Sequence, residues 1–402
     1  MNIVMVGEYY NPNLIGGAEI QAMRRAEGLV KMGLEVTVIS FDGNVNTKYE
    51  TINGVKVIRY LLPTHKAKML SLAVPIARAL RKHEQGTDIY HLYNTHPLPA
   101  AGLYKITGGR KPVLANLENY SGYCPLTTAM YGKCDTLCRF SCLTRESHNT
   151  FERIIAFVYA GVYPLLRYLA KKVDRYIAVS DYVKQEYIKQ GFDEDKISVI
   201  PNSLDINCFS NRSKIPHAGT NILYVGRMSE EKGVSVLISA FSNVSKTHEN
   251  IRLILVGDGP ALPEYRELVR KNGIQEKVTF TGHQSESNIS NFYSIADMFV
   301  HPALFNEPFN ITLLEAMASE VPILVSNVGS LAQIVKNAGI IFNKGDISDL
   351  TNKLTSLIED EEKRVALSKN CKSIVDLYSD EKVLKTLIDT YRQLNNNNKL
   401  RG

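Results

Sequence analysis

A chain of 402 residues is long for one hydrophobic core and suits two domains. Its 44% hydrophobic and 22% charged residues are ordinary for a globular protein. The net charge of +6 falls entirely in the first half, with 25 Lys and Arg against 18 Asp and Glu through residue 200 and 22 against 23 after it. The basic residues are scattered and no aromatic-interleaved basic motif appears, which argues against a nucleic-acid partner. The excess fits either an anionic surface or acceptor beside the first half, or a solvated face.

Residues 1–6 begin a strand at once, with no charged n-region or cleavage site, so no signal peptide is read and a cytoplasmic protein is expected. The first unit is a strand at 3–7, a loop containing Gly16-Gly17-Ala18-Glu19, a helix from about 20 to 32 and a strand at 35–40. Paired glycines let backbone amides approach an anion closely, although glycines also simply make turns. Further strands are expected at 55–59, 89–92 and 113–116. Between them, residues 66–83 are basic on one side and apolar on the other through Met69, Leu72, Ala73, Ile76 and Leu80. That pattern suits a helix on an anionic membrane or one whose apolar face joins the core. Residues 154–170 are too short for a membrane span and are interrupted by Pro164 and Arg167, so a packed helix on the interdomain side is expected.

Four of the six cysteines, Cys124, Cys134, Cys138 and Cys142, fall within nineteen residues as C-x9-C-x3-C-x3-C. In a cytoplasmic protein such clustering points to a metal more than to disulfides. On a helix the last three share one face and could present three thiolates to one ion, with Cys124 as the fourth ligand. A structural zinc or other metal, free thiols and disulfides are the three readings. Strands are expected at 174–180 and 196–202. Between them Asp193-Glu194-Asp195 formally matches a D-x-D metal motif, but it sits on a polar turn and reads as a surface loop.

The second half opens with a strand at 221–226, followed by Arg227 and Lys232 on one loop. Two converging cations can neutralise a departing diphosphate. Residues 253–260 imitate the start of G-x-G-x-x-G, but Leu262 holds the third glycine position and Pro260 lies inside, which argues against a dehydrogenase. A strand at 278–282 ends in Thr281-Gly282-His283. Residues 306–318 then read as a loop that turns into a helix. Pro308 disfavours helical geometry at Glu307, so the helix should open near Phe309 or Asn310, with Glu307 on the loop and Glu315 within the first two turns. Apolar strands at 296–300 and 321–325 make this a βαβ unit whose acidic loop lies at the carboxyl end of the sheet, where ligands bind. The backbone N–H groups at the helix opening suit a phosphate. A late helix is expected at 376–394, with a disordered polar tail at 395–399.

Glu307-x7-Glu315, set in EPFN-x4-EAMA, resembles the signature of the retaining nucleotide-sugar glycosyltransferases of family 4. The resemblance implies an α/β GT-B fold of two facing Rossmann-like domains with a deep interdomain cleft. Residues 1–202 would form the acceptor domain, 203–218 a linker and 219–375 the nucleotide-sugar domain, with helix 376–394 crossing back onto the first. It implies transfer of a sugar from a nucleotide diphosphate donor to a glycan or lipid-linked acceptor with retention, in cell-surface polysaccharide or glycoconjugate synthesis. No catalytic metal is implied, and the protein would be cytoplasmic or peripheral at the inner membrane face. Glu315 would hold the ribose and Glu307 the donor sugar. Arg227 and Lys232 would hold the diphosphate, helped by amides near Phe309, Asn310 and Ile311 and by Gly16-Gly17, while the loop at Gly282 receives the base.

Leu117-Glu118-Asn119-Tyr120 before Cys124-Pro125 is similar to a family stretch in which many members place a histidine near the reacting sugar; here Glu118 stands there. Glu118 could act as acid/base, as a hydrogen-bond acceptor, or have no part in catalysis. Family members usually carry glycine where Asn310 and Glu320 stand. Asn310 is expected to keep a positive-φ backbone path; Glu320 has no such explanation. A nucleotide-sugar 2-epimerase of the same fold and a non-catalytic subunit are the rival readings.

Overall fold

The computed structural model describes residues 1–13, 16–43, 47–61, 68–93, 97–124, 150–210 and 214–399. They form two compact units, Met1–Asn202 together with Glu381 onward, and Ser203–Asp380.

In chain order the first unit runs β1 (Asn2–Val6), α1 (Gly17–Lys31), β2 (Glu35–Gly43), β3 (Lys48–Ile52), β4 (Val55–Leu61), α2 (Lys68–Lys82), β5 (Ile89–Leu92), α3 (Leu98–Ile106), β6 (Val113–Leu117), α4 (Thr150–Ala170), β7 (Arg175–Ala178), α5 (Asp181–Lys189) and β8 (Ile197–Val199). The strands form one sheet in the order β3-β4-β2-β1-β5-β6-β7-β8. Every pairing is parallel except the β3–β4 hairpin. β5 and β6 are buried along their whole length, as strands covered by helices on both faces must be. The chain reverses its winding between β1 and β5, so the carboxyl ends of those two strands flank the place where such sheets bind ligands.

Leu72, Ala73, Ile76 and Leu80 of α2 are buried. The apolar face of this helix is therefore spent on the unit's own core, which removes it as a membrane-lying surface. No helix among the described residues is long and apolar enough to cross a membrane. The C-terminal helix Asp380–Lys399 packs Val383, Leu384, Leu387, Ile388 and Tyr391 into the core of β1, β2, β4 and β5. It runs through Asn395–Asn398, so the stretch expected to be a disordered tail is helical.

The second unit runs β9 (Thr220–Val225), α6 (Val234–Val244), β10 (Ile251–Val256), α7 (Leu262–Lys271), β11 (Val278–Gly282), α8 (Glu286–Ser294), β12 (Met298–His301), α9 (Ile311–Ala318), β13 (Ile323–Ser326) and β14 (Gly339–Phe342). Its six-stranded, all-parallel sheet has the order β11-β10-β9-β12-β13-β14. This is the doubly wound Rossmann order, with its switch point between β9 and β12. Alternate residues of β9 feed the two faces, Leu223 and Val225 one core and Ile222 and Tyr224 the other. Leu204 and Phe209 belong to the first of these cores, and Leu204 exchanges backbone hydrogen bonds with Tyr378 and Asp380. The stretch expected as a linker at 203–218 thus begins inside the second unit rather than between units.

Candidate active site

The loops leaving β9 and β12 meet at the switch point of the second unit. Gly233 has φ +69°, and a Cβ there would lie 2.0 Å from the Pro302 carbonyl oxygen. Only glycine lets the two loops come this close. The approach puts the Lys232 ammonium 2.8 and 3.1 Å from the two carboxylate oxygens of Glu307, and 5.0 Å from the Phe305 ring centre. A third loop, after β13, fixes the Glu307 backbone. The Ser330 N–H and hydroxyl both donate to the Glu307 carbonyl, at 2.9 and 3.1 Å. Gly329, at φ +54°, leaves no room for a Cβ, which would sit 2.4 Å from the Glu307 nitrogen.

Glu307 is only 5% exposed. Burial pushes its carboxyl upward, but the charge of Lys232 and the neighbouring His301 outweigh that and hold it below the usual carboxylate range. It is therefore ionised at neutral pH. His301, the last residue of β12, is also buried, and burial lowers its pKa so that the ring is neutral.

Asn310 is the N-cap of α9, which opens at Ile311, one residue later than expected. Its φ is −137°, so it does not keep a positive-φ path, and the expectation is corrected. Its Oδ1 accepts from the Thr312 N–H at 2.9 Å and from the Thr312 hydroxyl at 2.6 Å. With the amide so oriented, Nδ2 lies 2.8 Å from His301 Nε2, the ring nitrogen that also faces Glu307 Oε2 at 3.4 Å. Asn310 thus caps one of the helix-start donors that had been expected to be open. Glu315, 9% exposed, takes a 3.0 Å hydrogen bond from the fully buried Tyr293 hydroxyl. Phe309 and Ile311 rest their side chains on the core, and Phe309 meets Tyr378 edge to face. Arg227 is exposed on the Lys232 loop, and Gly282 ends β11 at the same carboxyl edge, where its carbonyl accepts the Gly257 N–H.

Glu320 has φ +54°. Its N–H donates to Met317 and that of Val321 to Ala316, which is the Schellman ending of α9. This is a left-handed position that glycine occupies without strain, and it accounts physically for the family preference.

In the first unit Glu118 lies just past β6, half-buried, with Asn116 Nδ2 at 2.8 Å on one oxygen and Asn202 Nδ2 at 3.0 Å on the other. Both amides are oriented from behind. The Asn202 oxygen accepts from the fully buried Arg25 at 3.1 Å, and the Asn116 oxygen from His91 Nε2 at 2.8 Å. Burial pushes His91 down to about 3, so it is neutral, and its Nδ1 accepts the Tyr391 hydroxyl of the C-terminal helix at 2.5 Å. Gly16 is the N-cap of α1 and offers no side chain to the helix start, which begins at Gly17. Glu19, in that first turn, has its carboxyl raised by burial, with the Glu8 and Glu118 charges adding to the effect. Cys124 is buried, while Cys134, Cys138 and Cys142 lie outside the described residues. Among the described residues no cluster of three His, Cys, Asp or Glu is placed to hold a metal.

Sequence reasoning did not single out His301, Gly329, Ser330 or Tyr293. The geometry around Glu307 and Glu315 reveals them, since each meets its partner from another element or loop.

Two doubly wound α/β units in one chain, the second carrying a cation and carboxylate pair at its switch point, define the GT-B class of transferase fold. Residues 15–207 match the model of glycosyltransferase family 4, and residues 206–374 that of glycosyl transferases group 1. The chain belongs to glycosyltransferase family 4. It is 28% identical to an uncharacterized glycosyltransferase, MJ1607, of Methanocaldococcus jannaschii, with 98% of each chain covered. It is 25% identical to an alpha-monoglucosyldiacylglycerol synthase of Acholeplasma laidlawii, over 100% of this chain and 99% of that one. In fold it is similar to a sucrose-phosphate synthase from Thermosynechococcus elongatus, with a TM-score of 0.75, 19% identity and 98% of both chains covered. It is likewise similar to Anabaena Alr3699/HepE in complex with UDP-glucose, with a TM-score of 0.70, 18% identity, and 98% of this chain and 100% of that one covered.

Proposed function

We propose that this glycosyltransferase moves a sugar, with retention at the anomeric carbon, from a nucleotide diphosphate donor to an anionic or lipid-linked glycan, in the synthesis of cell-surface polysaccharide or glycoconjugate. The observation that carries the reading is the buried Lys232–Glu307 pair at the switch point of the second unit. A buried ionised carboxylate held on rigid loops accepts hydrogen bonds from sugar hydroxyls in one orientation. Lys232 and the exposed Arg227 supply the positive charge that a departing diphosphate needs, without recourse to a metal. Glu315, aimed by Tyr293, accepts from the ribose hydroxyls. The bond from the anomeric carbon to the phosphate oxygen breaks, and the bond to the acceptor oxygen forms on the same face. The acceptor proton passes to the leaving phosphate oxygen, so no side chain is needed as nucleophile.

Support for a nucleotide sugar comes from the HepE structure solved with UDP-glucose. Support for a lipid-side acceptor comes from the name of the Acholeplasma relative and from the basic excess of the first 200 residues.

The test is calorimetry with nucleoside diphosphates together with turnover at saturating donor. Glu315→Ala should weaken nucleoside diphosphate binding roughly tenfold to a hundredfold, the loss of one charged hydrogen bond. Glu307→Ala should leave that binding nearly unchanged and depress turnover, and Arg227→Ala should depress turnover most. Wild-type behaviour in both carboxylate variants would remove the assignment. Inversion at C2 of the donor would make the protein an epimerase.

A further inference from the structure

Helix α4 is apolar on both of its sides. Ala156, Tyr159, Ala160, Tyr163, Leu166 and Leu169 are buried in the first unit. The opposite side carries Ile154, Phe157, Val158, Leu165 and Tyr168, which are 59%, 67%, 55%, 58% and 53% exposed. Sixteen large hydrophobic side chains are exposed among the described residues, and five of them are on this one helix. Their spacing, with the exposed Gly161 in the middle, makes a single stripe along about 21 Å of helix. Singly scattered apolar residues on a surface need no explanation, but a continuous stripe does.

Charge decides what covers it. Arg153 and Lys172 are exposed at the two ends, with the Lys172 ammonium 4.4 Å from the Tyr168 ring centre. Behind the stripe Arg167 and Lys171 both donate to the Gln190 carbonyl. No Asp or Glu occurs from Arg153 to Val173. A second copy of this chain pairing by a two-fold axis would set these cations against one another with no carboxylate inside the stripe, the flanking acids being Glu152 before it and Asp174, paired with Lys105, after it. An apolar stripe with basic ends and an aromatic near the edge is instead what the boundary of an anionic bilayer accepts.

We propose that α4 is a docking helix that lies along an anionic membrane surface, with Ile154, Val158 and Leu165 at the acyl boundary and Arg153 and Lys172 among the headgroups. The proposal rests on the lipid-side reading of the acceptor given above and names the element that reaches the lipid.

Sedimentation of the full chain with phosphatidylcholine vesicles, with and without phosphatidylglycerol, tests it. The wild type should bind the anionic vesicles and lose binding as salt is raised. Val158→Glu with Leu165→Glu should lower the partition coefficient at least roughly tenfold, since two buried aliphatic side chains are replaced by charges at the boundary. Melting temperature and donor hydrolysis should stay at wild-type values, because neither residue belongs to the catalytic site. Arg153→Ala with Lys172→Ala should flatten the salt dependence. Unchanged binding of the double glutamate variant, or no binding by the wild type, overturns the proposal. So does a wild-type dimer that ignores vesicles and is broken to monomers by the same variant. Vesicle binding in a wild type that hydrolyses no donor supports docking while sinking the transfer reading alone.

Discussion

The two units hold their candidate-site carboxylates by different means. In the second, Glu307 is answered directly by an ammonium, and the pair is neutral where it is buried. In the first, Glu118 is answered by two neutral amides, and Arg25 stands behind one of them. A direct pair cancels charge, whereas an amide cradle fixes direction and leaves the negative charge outstanding. Nearby, burial raises the carboxyl of Glu19, with smaller contributions from the Glu8 charge and then the Glu118 charge. The second unit therefore answers its buried carboxylate with charge. The first answers its own with two oriented amides.

Breaking the pair is the sharpest test of this difference. Lys232→Met leaves Glu307 buried without its partner and should cost about 3 kcal/mol of stability at neutral pH, at the low end for such pairs because the lysine keeps some exposure. Since protonating Glu307 relieves the penalty, the cost should shrink as pH falls toward 5. A urea titration of the variant and wild type checks both points, and a pH-independent cost of a few tenths would show the pair to be incidental.

A second test uses the buried histidines, one in each unit. His91 and His301 are both held neutral by burial, below the ordinary histidine value. As pH falls through about 6.5 the unfolded chain takes up a proton at each and the folded chain does not. The stability they contribute is complete above that pH and is lost on acidification, by roughly 1.4 kcal/mol per histidine per pH unit. For His91 the loss continues toward pH 3. His83, also lowered by burial, adds to the slope of the first unit, and the raised Glu19 opposes it at lower pH. Urea midpoints at pH 7.5, 6.5 and 5.5 should fall in order for both units, and His91→Gln should flatten the first unit's fall only. A flat profile in the wild type would contradict the neutral assignment of both rings.

The smallest expected effect is a gain. Glu320→Gly relieves a left-handed backbone at the end of α9 and should stabilise the second unit by about 0.5 to 1 kcal/mol, read as a rise in melting temperature. A loss on this substitution would mean that the Glu320 side chain does more than tolerate its place.

Much of the architecture was legible because parallel strands buried on both faces are short apolar runs that stand out between helices. Residues 89–92 were bounded correctly from sequence for this reason, and residues 278–282 were too, although that edge strand is only half-buried. β3 was not found, because Lys48–Ile52 is a polar edge strand, although Asn53-Gly54 at φ +49° and +83° is a strong hairpin signal. At the candidate site, Glu307, Glu315, Arg227 and Lys232 were singled out by local spacing and by resemblance to a family signature. What escaped was what holds them. Gly329 and Ser330 act on Glu307 from the next strand's loop, and Tyr391 reaches His91 across 300 residues. No local pattern encodes such contacts. Asn310 was noticed, but for the wrong reason, because a side-chain cap and a positive φ both draw asparagine to helix starts and turns.

The C-terminal helix has a consequence for how the protein is made. Residues 383–394 complete the hydrophobic core that β1 and β2 begin, so the first unit to leave the ribosome is the last to close. The second unit, all of whose strands lie between 220 and 342, can finish folding while the first still exposes the groove that Leu387, Ile388 and Tyr391 will fill. A chain cut near residue 380 would carry a finished second unit while the core of the first stays unsealed. Such a fragment would leave open the apolar surface of β1, β2 and β4 that Leu387, Ile388 and Tyr391 cover.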